Sequence, residues 1–143
     1  MKKYSNKGLE LWEQALKVIP GGNGLLSKRP ERYAPNLWPT YYSKAYGCEV
    51  VDLDGNRFID MAQMGIGTAV LGYSDKDVNN YVIENIHDGV NSTLNTTEEP
   101  KLAEILLEIN DFAGGVKFAR SGGEALQIAI RIARAYTKKE KIL

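Results

Sequence analysis

Ser121, Gly122, Gly123 and Glu124 stand between an apolar run, Val116 to Arg120, and a long helical pattern. The spacing predicts a strand ending at Arg120, a tight turn, and a helix from about Gly122 to Tyr136. Such a turn presents backbone N–H groups that a helix cannot satisfy internally, and the macrodipole adds partial positive charge there. A phosphate group suits that position. Two glycines let an anion approach bare backbone, because no Cβ stands in the way. The same residues also spell a capping box. Ser121 would accept from the Glu124 amide, and Glu124 would reach back to the Ser121 amide. A capping box needs no ligand, so the turn by itself leaves both readings open.

Other residues of chemical interest are scattered. Lys28, Arg29 and Arg32 lie in a loop punctuated by Pro30, Pro35 and Pro39, where a basic side chain would either clamp an anionic group or face water. His87 is the only histidine and falls at a predicted helix C-terminus, a position that suits a surface imidazole beside the dipole. Gly65, Gly67 and Gly72 do not form a G-x-G-x-x-G fingerprint, because position 70 is Val70, and no Walker lysine follows. Close packing of two segments is the favoured reading for these glycines.

The elements that must position these residues follow from periodicity. Leu9, Trp12, Leu16 and Ile19 mark a first helix with Ser5 as N-cap, ended by Pro20-Gly21-Gly22. Thr40–Tyr46, Cys48–Leu53 and Arg57–Met61 read as strands, and Asp54-Gly55-Asn56 is a strong hairpin signal. Ser74 with Asp77 is expected to cap a second helix with the stripe Val78, Tyr81, Val82 and Ile86. Thr96 and Glu99 are expected to box the start of a third, striped by Leu102, Ile105, Leu106 and Ile109. In the last helix Ala125, Ala129 and Ala133 make a small-residue ridge suited to lying close against a sheet. Lys141-Ile142-Leu143 reads as the start of another strand, so the strand-helix-strand unit is expected to continue beyond this sequence.

The 143 residues suffice for one ordinary domain, and 43% hydrophobic residues can form a core. Eighteen basic residues balance eighteen acidic ones, which argues against a nucleic-acid or anionic-membrane binder built on a basic surface. Cys48 is the only cysteine, so no disulfide framework or cysteine zinc site is expected, and a cytoplasmic setting is the default. No signal peptide, membrane span or metal site is expected.

Several motifs then occur in a recognisable order: Ile19-Pro20-Gly21-Gly22, Asp52-Leu53-Asp54-Gly55-Asn56-Arg57-Phe58-Ile59-Asp60, Leu71-Gly72-Tyr73, and Arg120-Ser121-Gly122-Gly123-Glu124-Ala125 leading into Ala129-Ile130-Arg131-Ile132-Ala133-Arg134. Nearly the whole chain resembles the N-terminal part of a class III aminotransferase, in the branch of the glutamate-1-semialdehyde aminomutases. The resemblance implies an α/β protein, the N-terminal fragment of a fold type I pyridoxal-phosphate transferase. Residues 1–64 would form the N-terminal helix, loop and small-domain hairpin region, and residues 65–143 would begin the large cofactor-binding α/β domain.

It further implies pyridoxal 5'-phosphate as cofactor, held through its phosphate by Ser121, Gly122 and Gly123. An amino donor and a carbonyl acceptor would be the small-molecule partners, and the intact protein would be a homodimer. The lysine that holds the cofactor covalently and the aspartate that pairs with its ring nitrogen would lie outside this sequence. No catalytic residue is therefore assigned here, and the fragment is expected to be inactive alone. Two departures matter. The commoner family pattern has a hydroxyl residue where this chain has Gly123. The aminomutases carry an arginine after Pro-Gly-Gly that holds the substrate carboxylate, and here Lys28 or Arg29 takes that part. This favours a transaminase with another acceptor. The aminomutase, or a non-catalytic module that binds phosphate or a partner, are the alternatives.

Overall fold

The computed structural model describes residues 6–142, which fall in two compact units, Met1–Val90 and Asn91–Leu143. Each is considered by itself.

In the first unit, helix α1 spans Lys7–Val18. Its N-cap is Asn6, whose side chain accepts from the Leu9 amide at 2.9 Å; Ser5 lies outside the described residues. Trp12 and Ala15 are its buried apolar residues, whereas Leu16 and Ile19 of the expected stripe are exposed. The reason is local. The chain after α1 doubles back, and a methyl group at Gly22 would overlap the Trp12 indole. Gly22, at φ +77°, therefore fits where a side chain would not. The indole N–H donates to Glu31 Oε1 at 3.0 Å and ties α1 to the short 3₁₀ turn Pro30–Arg32.

Strands β1 (Tyr42–Tyr46), β2 (Glu49–Asp52) and β3 (Arg57–Ile59) form an antiparallel sheet in sequence order. Tyr42 pairs with Asp52 and Tyr46 with Glu49; Val50 pairs with Phe58. The register shifts around Ser43, whose hydroxyl donates to the carbonyls of Val51 and Asp52 at 3.2 and 2.9 Å. The expected hairpin is present, and Asp52 organises it. Its carboxylate accepts from the Asp54 amide (2.9 Å), the Asn56 amide (2.8 Å) and the Asn56 side chain (2.9 Å). Burial works against ionisation of Asp52, but these Asn56 and Asp54 donors, with Gly55, outweigh it and hold the carboxyl below its ordinary value. Asp54 in turn accepts from the Lys7 amide at 2.9 Å, so the hairpin turn satisfies the first amide of α1.

The glycine-rich stretch behaves as a packing device. A Cβ on Gly72 would meet the Gly47 backbone at 3.0 Å, and Gly47 and Tyr73 exchange two backbone hydrogen bonds of 2.8 Å. The Tyr73 hydroxyl donates to Asp60 Oδ2 at 2.6 Å, which pushes the phenol up to about 12. Ser74 follows in left-handed backbone, φ +55°, and so is not the cap of the next helix. Asp75 is, accepting from the amides of Asp77 and Val78 at the start of α2, Lys76–Ile86.

The second unit holds α3 (Glu98–Ile109) and α4 (Gly122–Thr137). Thr97, not Thr96, is the N-cap of α3, and its hydroxyl donates to Glu98 Oε1 rather than accepting from the helix. The strand expected over Val116–Arg120 does not form: the run carries no regular secondary structure and belongs to no sheet among the described residues. A strand is stabilised by its ladder partners, and none of the described residues provides one. Lys141 and Ile142 likewise form no strand; Leu143 lies outside the described residues. None of residues 91–142 is buried, and the alanine ridge of α4 is exposed.

Two outcomes are expected. Replacing Asp52 with alanine leaves three donors without their acceptor and lowers stability by about 2 kcal/mol in chemical denaturation. Because the Asp52 carboxyl is held low in the folded state, its contribution is full above the ordinary carboxylate range and is lost as pH falls through the depressed value. Acid titration of hydrogen exchange at the Asn56 amide reads this loss, and Asp52→Asn removes it. Separately, the uncovered apolar stripes of α2, α3 and α4 drive association. Sedimentation of the isolated chain should show species heavier than 15.9 kDa. A cooperatively melting monomer would contradict this.

Candidate functional site

The turn before α4 is built from Ser121 outward. Ser121 is the N-cap in extended backbone, φ −145° and ψ 158°, and its hydroxyl accepts from the Glu124 amide at 3.3 Å. Its carbonyl accepts the first helical bond, from Ala125 at 3.0 Å. The other half of the expected box differs. Glu124 Oε2 accepts from the Arg120 amide at 2.8 Å, not from Ser121. With Ser121 fully extended, the amide one residue farther back comes within reach of the carboxylate.

As a result the Ser121 amide has no acceptor among the described residues, and the amides of Gly122 and Gly123, at the start of the helix, have none either. Nothing lies within 4 Å of where a Cβ would stand at Gly122 or Gly123. Three consecutive unpaired N–H groups at a helix N-terminus, open to approach, match the acceptor set of a phosphate monoester. That donor chemistry fits the cofactor the sequence resemblance implies.

The N-terminus of α3 offers a contrast. Unlike α4 it has no side-chain cap, and Glu98 and Glu99 sit in its first turn. Thr97 donating to Glu98 keeps that carboxyl below its ordinary value, so the turn carries negative charge. An anion is repelled there. A groove of about 410 Å³ in the second unit is also separate from the α4 turn. It lies between Glu99, Pro100 and Ala103 of α3 and the run Val116–Phe118.

Lys28 and Arg29 belong to the first unit and are, respectively, the last residue and the C-cap of the 3₁₀ turn Leu26–Lys28. Lys28 is exposed. Arg29 is half-buried, and its guanidinium lies where a Cβ on Gly21 would be. Its Nε is buried without an acceptor among the described residues. Of the pair, Lys28 has its charged end in solvent and Arg29 is packed on the Pro-Gly-Gly turn. His87 closes α2 as its C-cap and is exposed, and Cys48 is free and exposed. Among the described residues no helix is long and apolar enough to cross a membrane.

Among the contacts that sequence reasoning missed are Asp75 as the cap of α2, Glu31 as the acceptor for Trp12, and Arg120 as the partner of Glu124. The φ of Ser74 decides the first and chain reversal decides the second. Neither leaves a mark in local spacing.

Residues 31–143 match the family described as aminotransferase class-III. The chain belongs to the class-III aminotransferase family. It corresponds to the N-terminal portion of these proteins and has their fold type I architecture in that portion. A glutamate-1-semialdehyde 2,1-aminomutase of Sulfurisphaera tokodaii is 37% identical over 93% of this chain and 30% of its own length. An omega-transaminase from Sphaerobacter thermophilus superposes with a TM-score of 0.85 at 34% identity, over 98% of this chain and 31% of that one. A transaminase solved with PLP bound gives 0.82 at 29% identity, over 94% of this chain and 30% of that one. The chain thus spans about three-tenths of the length of the curated relatives it matches. Class-III aminotransferases use pyridoxal phosphate and act on amino donors and carbonyl acceptors.

One outcome tests the local geometry. Ser121→Ala removes the N-cap acceptor and destabilises the first turn of α4 by about 1 kcal/mol. Faster hydrogen exchange at the Glu124 and Ala125 amides reads it, with α3 unchanged.

Proposed function

We propose that this chain contributes the cofactor-phosphate seat of a pyridoxal-phosphate-dependent transaminase. The seat is the turn Ser121, Gly122 and Gly123. The observation that carries this reading is the set of three unpaired amides at the start of α4, in a chain of a family whose cofactor ends in a phosphate. When bound, pyridoxal phosphate supplies the electron sink for amino-group transfer between a donor and a carbonyl substrate. The chain's own residues act by binding and orientation. Gly122 and Gly123 admit the phosphate to the backbone, and the α4 dipole favours its charge. Where the commoner pattern has a hydroxyl, Gly123 offers backbone alone.

Residues 1–64 would belong to the small-domain region and residues 65–143 to the start of the large domain. Lys28 or Arg29 would meet the substrate carboxylate, and the solvent-facing Lys28 is the freer of the two. The covalent lysine and the ring-nitrogen aspartate are then supplied by polypeptide outside this sequence. The active protein would be a cytoplasmic homodimer, and this chain alone would not transaminate. A second reading, glutamate-1-semialdehyde aminomutase, is supported by the aminomutase relatives. Dependence of the intact enzyme on a separate amino donor marks a transaminase; isomerisation of one substrate without a donor marks the aminomutase.

Replacing Gly122 with leucine tests the seat. In the intact enzyme that carries this sequence, pyridoxal phosphate affinity should fall at least about tenfold, since a side chain blocks the backbone donors. Affinity for pyridoxal, which has no phosphate, should change little. Unchanged pyridoxal phosphate affinity would remove the assignment.

A further inference from the structure

Asn23-Gly24 is the one Asn-Gly step in the sequence. It follows the Pro-Gly-Gly turn, and neither residue belongs to a helix or strand. Gly24 is exposed, and nothing lies within 4 Å of where its Cβ would stand. Its amide donates to no acceptor among the described residues. The Asn23 side chain bends along the chain. Its Oδ1 accepts from the Leu25 amide at 3.1 Å, which closes an Asx turn across Gly24. We infer that Asn23 is a site of spontaneous covalent modification, at which the Gly24 amide nitrogen displaces the side-chain nitrogen and the residue becomes aspartate or isoaspartate.

The reaction uses groups already in the turn. A solvent base takes the Gly24 N–H proton, and the nitrogen attacks Asn23 Cγ. A C–N bond forms and negative charge develops on Oδ1. The Leu25 amide already donates to that oxygen, as an oxyanion donor does. The Cγ–Nδ2 bond then breaks, Nδ2 takes up a proton and leaves as ammonia, and a five-membered cyclic imide remains. Water opens the ring at either carbonyl. One opening gives aspartate; the other routes the main chain through the side chain, as isoaspartate. Water is the co-reactant, and nothing is oxidised or reduced. Either product adds a negative charge to the loop that carries Lys28, Arg29 and Arg32.

Other steps of similar chemistry lack a part. In the two Asp-Gly steps the attacking amide is occupied: Gly55 donates to the Asp52 carbonyl and Gly89 to the Ile86 carbonyl, both at 3.3 Å. Asn56, Asn85 and Asn110 hold the departing nitrogen in hydrogen bonds to Asp52, Tyr81 and Leu106. Asn91 and Asn95 are exposed, but Ser92 and Thr96 place a Cβ beside the attacking nitrogen.

The full 143-residue chain is aged in heavy-oxygen water at mildly alkaline pH, natively and in guanidinium chloride. Peptide mass spectrometry locates the incorporated oxygen, and a methyltransferase specific for isoaspartate labels the rearranged product. Both readouts hold whether the chain is monomeric or associated. The native chain should take up label first at Asn23, at least as fast as the unfolded chain does. G24A fits the turn, since Gly24 is not in left-handed backbone and the space is open. It should slow uptake at Asn23 at least about tenfold, because a Cβ crowds the attacking nitrogen. Slower labelling of Asn23 in the native chain than in the unfolded one would show that the loop protects it and would overturn the inference. Label appearing first at Asn91 or Asn95, or isoaspartate first at Asp54 or Asp88, would overturn it as well. Equal rates in wild type and G24A would assign the attack to water instead of Gly24, with the same consequence.

Discussion

An α-helix begins with amides that its own backbone cannot satisfy, and this chain meets that constraint differently at each helix. At α1 the Asn6 side chain takes one amide and Asp54, from the hairpin turn, takes another. That choice joins the helix to the sheet, because Asp54 is held by a loop that Asp52 organises. At α2 a single aspartate, Asp75, accepts from two amides. At α3 two glutamates in the first turn supply negative charge in place of a cap. At α4 the serine satisfies one amide, the glutamate turns away to Arg120, and the glycine amides are left open. The same physical demand is met by side-chain caps at α1 and α2, by first-turn charge at α3, and only in part at α4.

Packing in the two units follows from what surrounds those joints. In the first unit Trp12 and Ala15 are buried by the returning chain, and the Gly47–Tyr73 bridge with the Tyr73–Asp60 hydrogen bond fastens the segment ahead of α2 to the hairpin. In the second unit the apolar residues of α3 and α4 are placed at helical spacing, but none is buried. Helices in proteins owe most of their stability to a buried face. The alanine ridge of α4 and the apolar run at Val116 have the composition of a helix and a strand made to be covered. A family whose members are about three times this length is consistent with that demand.

Much of this was legible in the sequence because it depends on local chemistry. The Asp-Gly turn between apolar runs marks the hairpin, the 3.6-residue stripes mark the helices, and the Ser-Gly-Gly step marks the start of α4. What was not legible depends on backbone angle or on distant chain. Ser74 has the composition of a cap, but its left-handed φ hands the role to Asp75. Thr96 and Glu99 have box spacing, yet the helix begins one residue later at its cap. Val116–Arg120 has a strand's composition without a ladder, since β-structure is a property of pairs. For the site, the serine and glycines were readable, but S-x-x-E spacing does not say which upstream amide the glutamate takes. Lys28 and Arg29 are adjacent and chemically alike in sequence, and only the packing against Gly21 separates them.

The central claim is that the open amides of α4 hold the cofactor phosphate. Its most direct measurement is a crystal structure of the native protein, purified from its source, with pyridoxal phosphate bound. The account predicts phosphate oxygens within hydrogen-bond distance of the Ser121, Gly122 and Gly123 amides, with the Glu124 carboxylate still on Arg120. A phosphate seated on other residues, with these amides taken by protein acceptors, would contradict it.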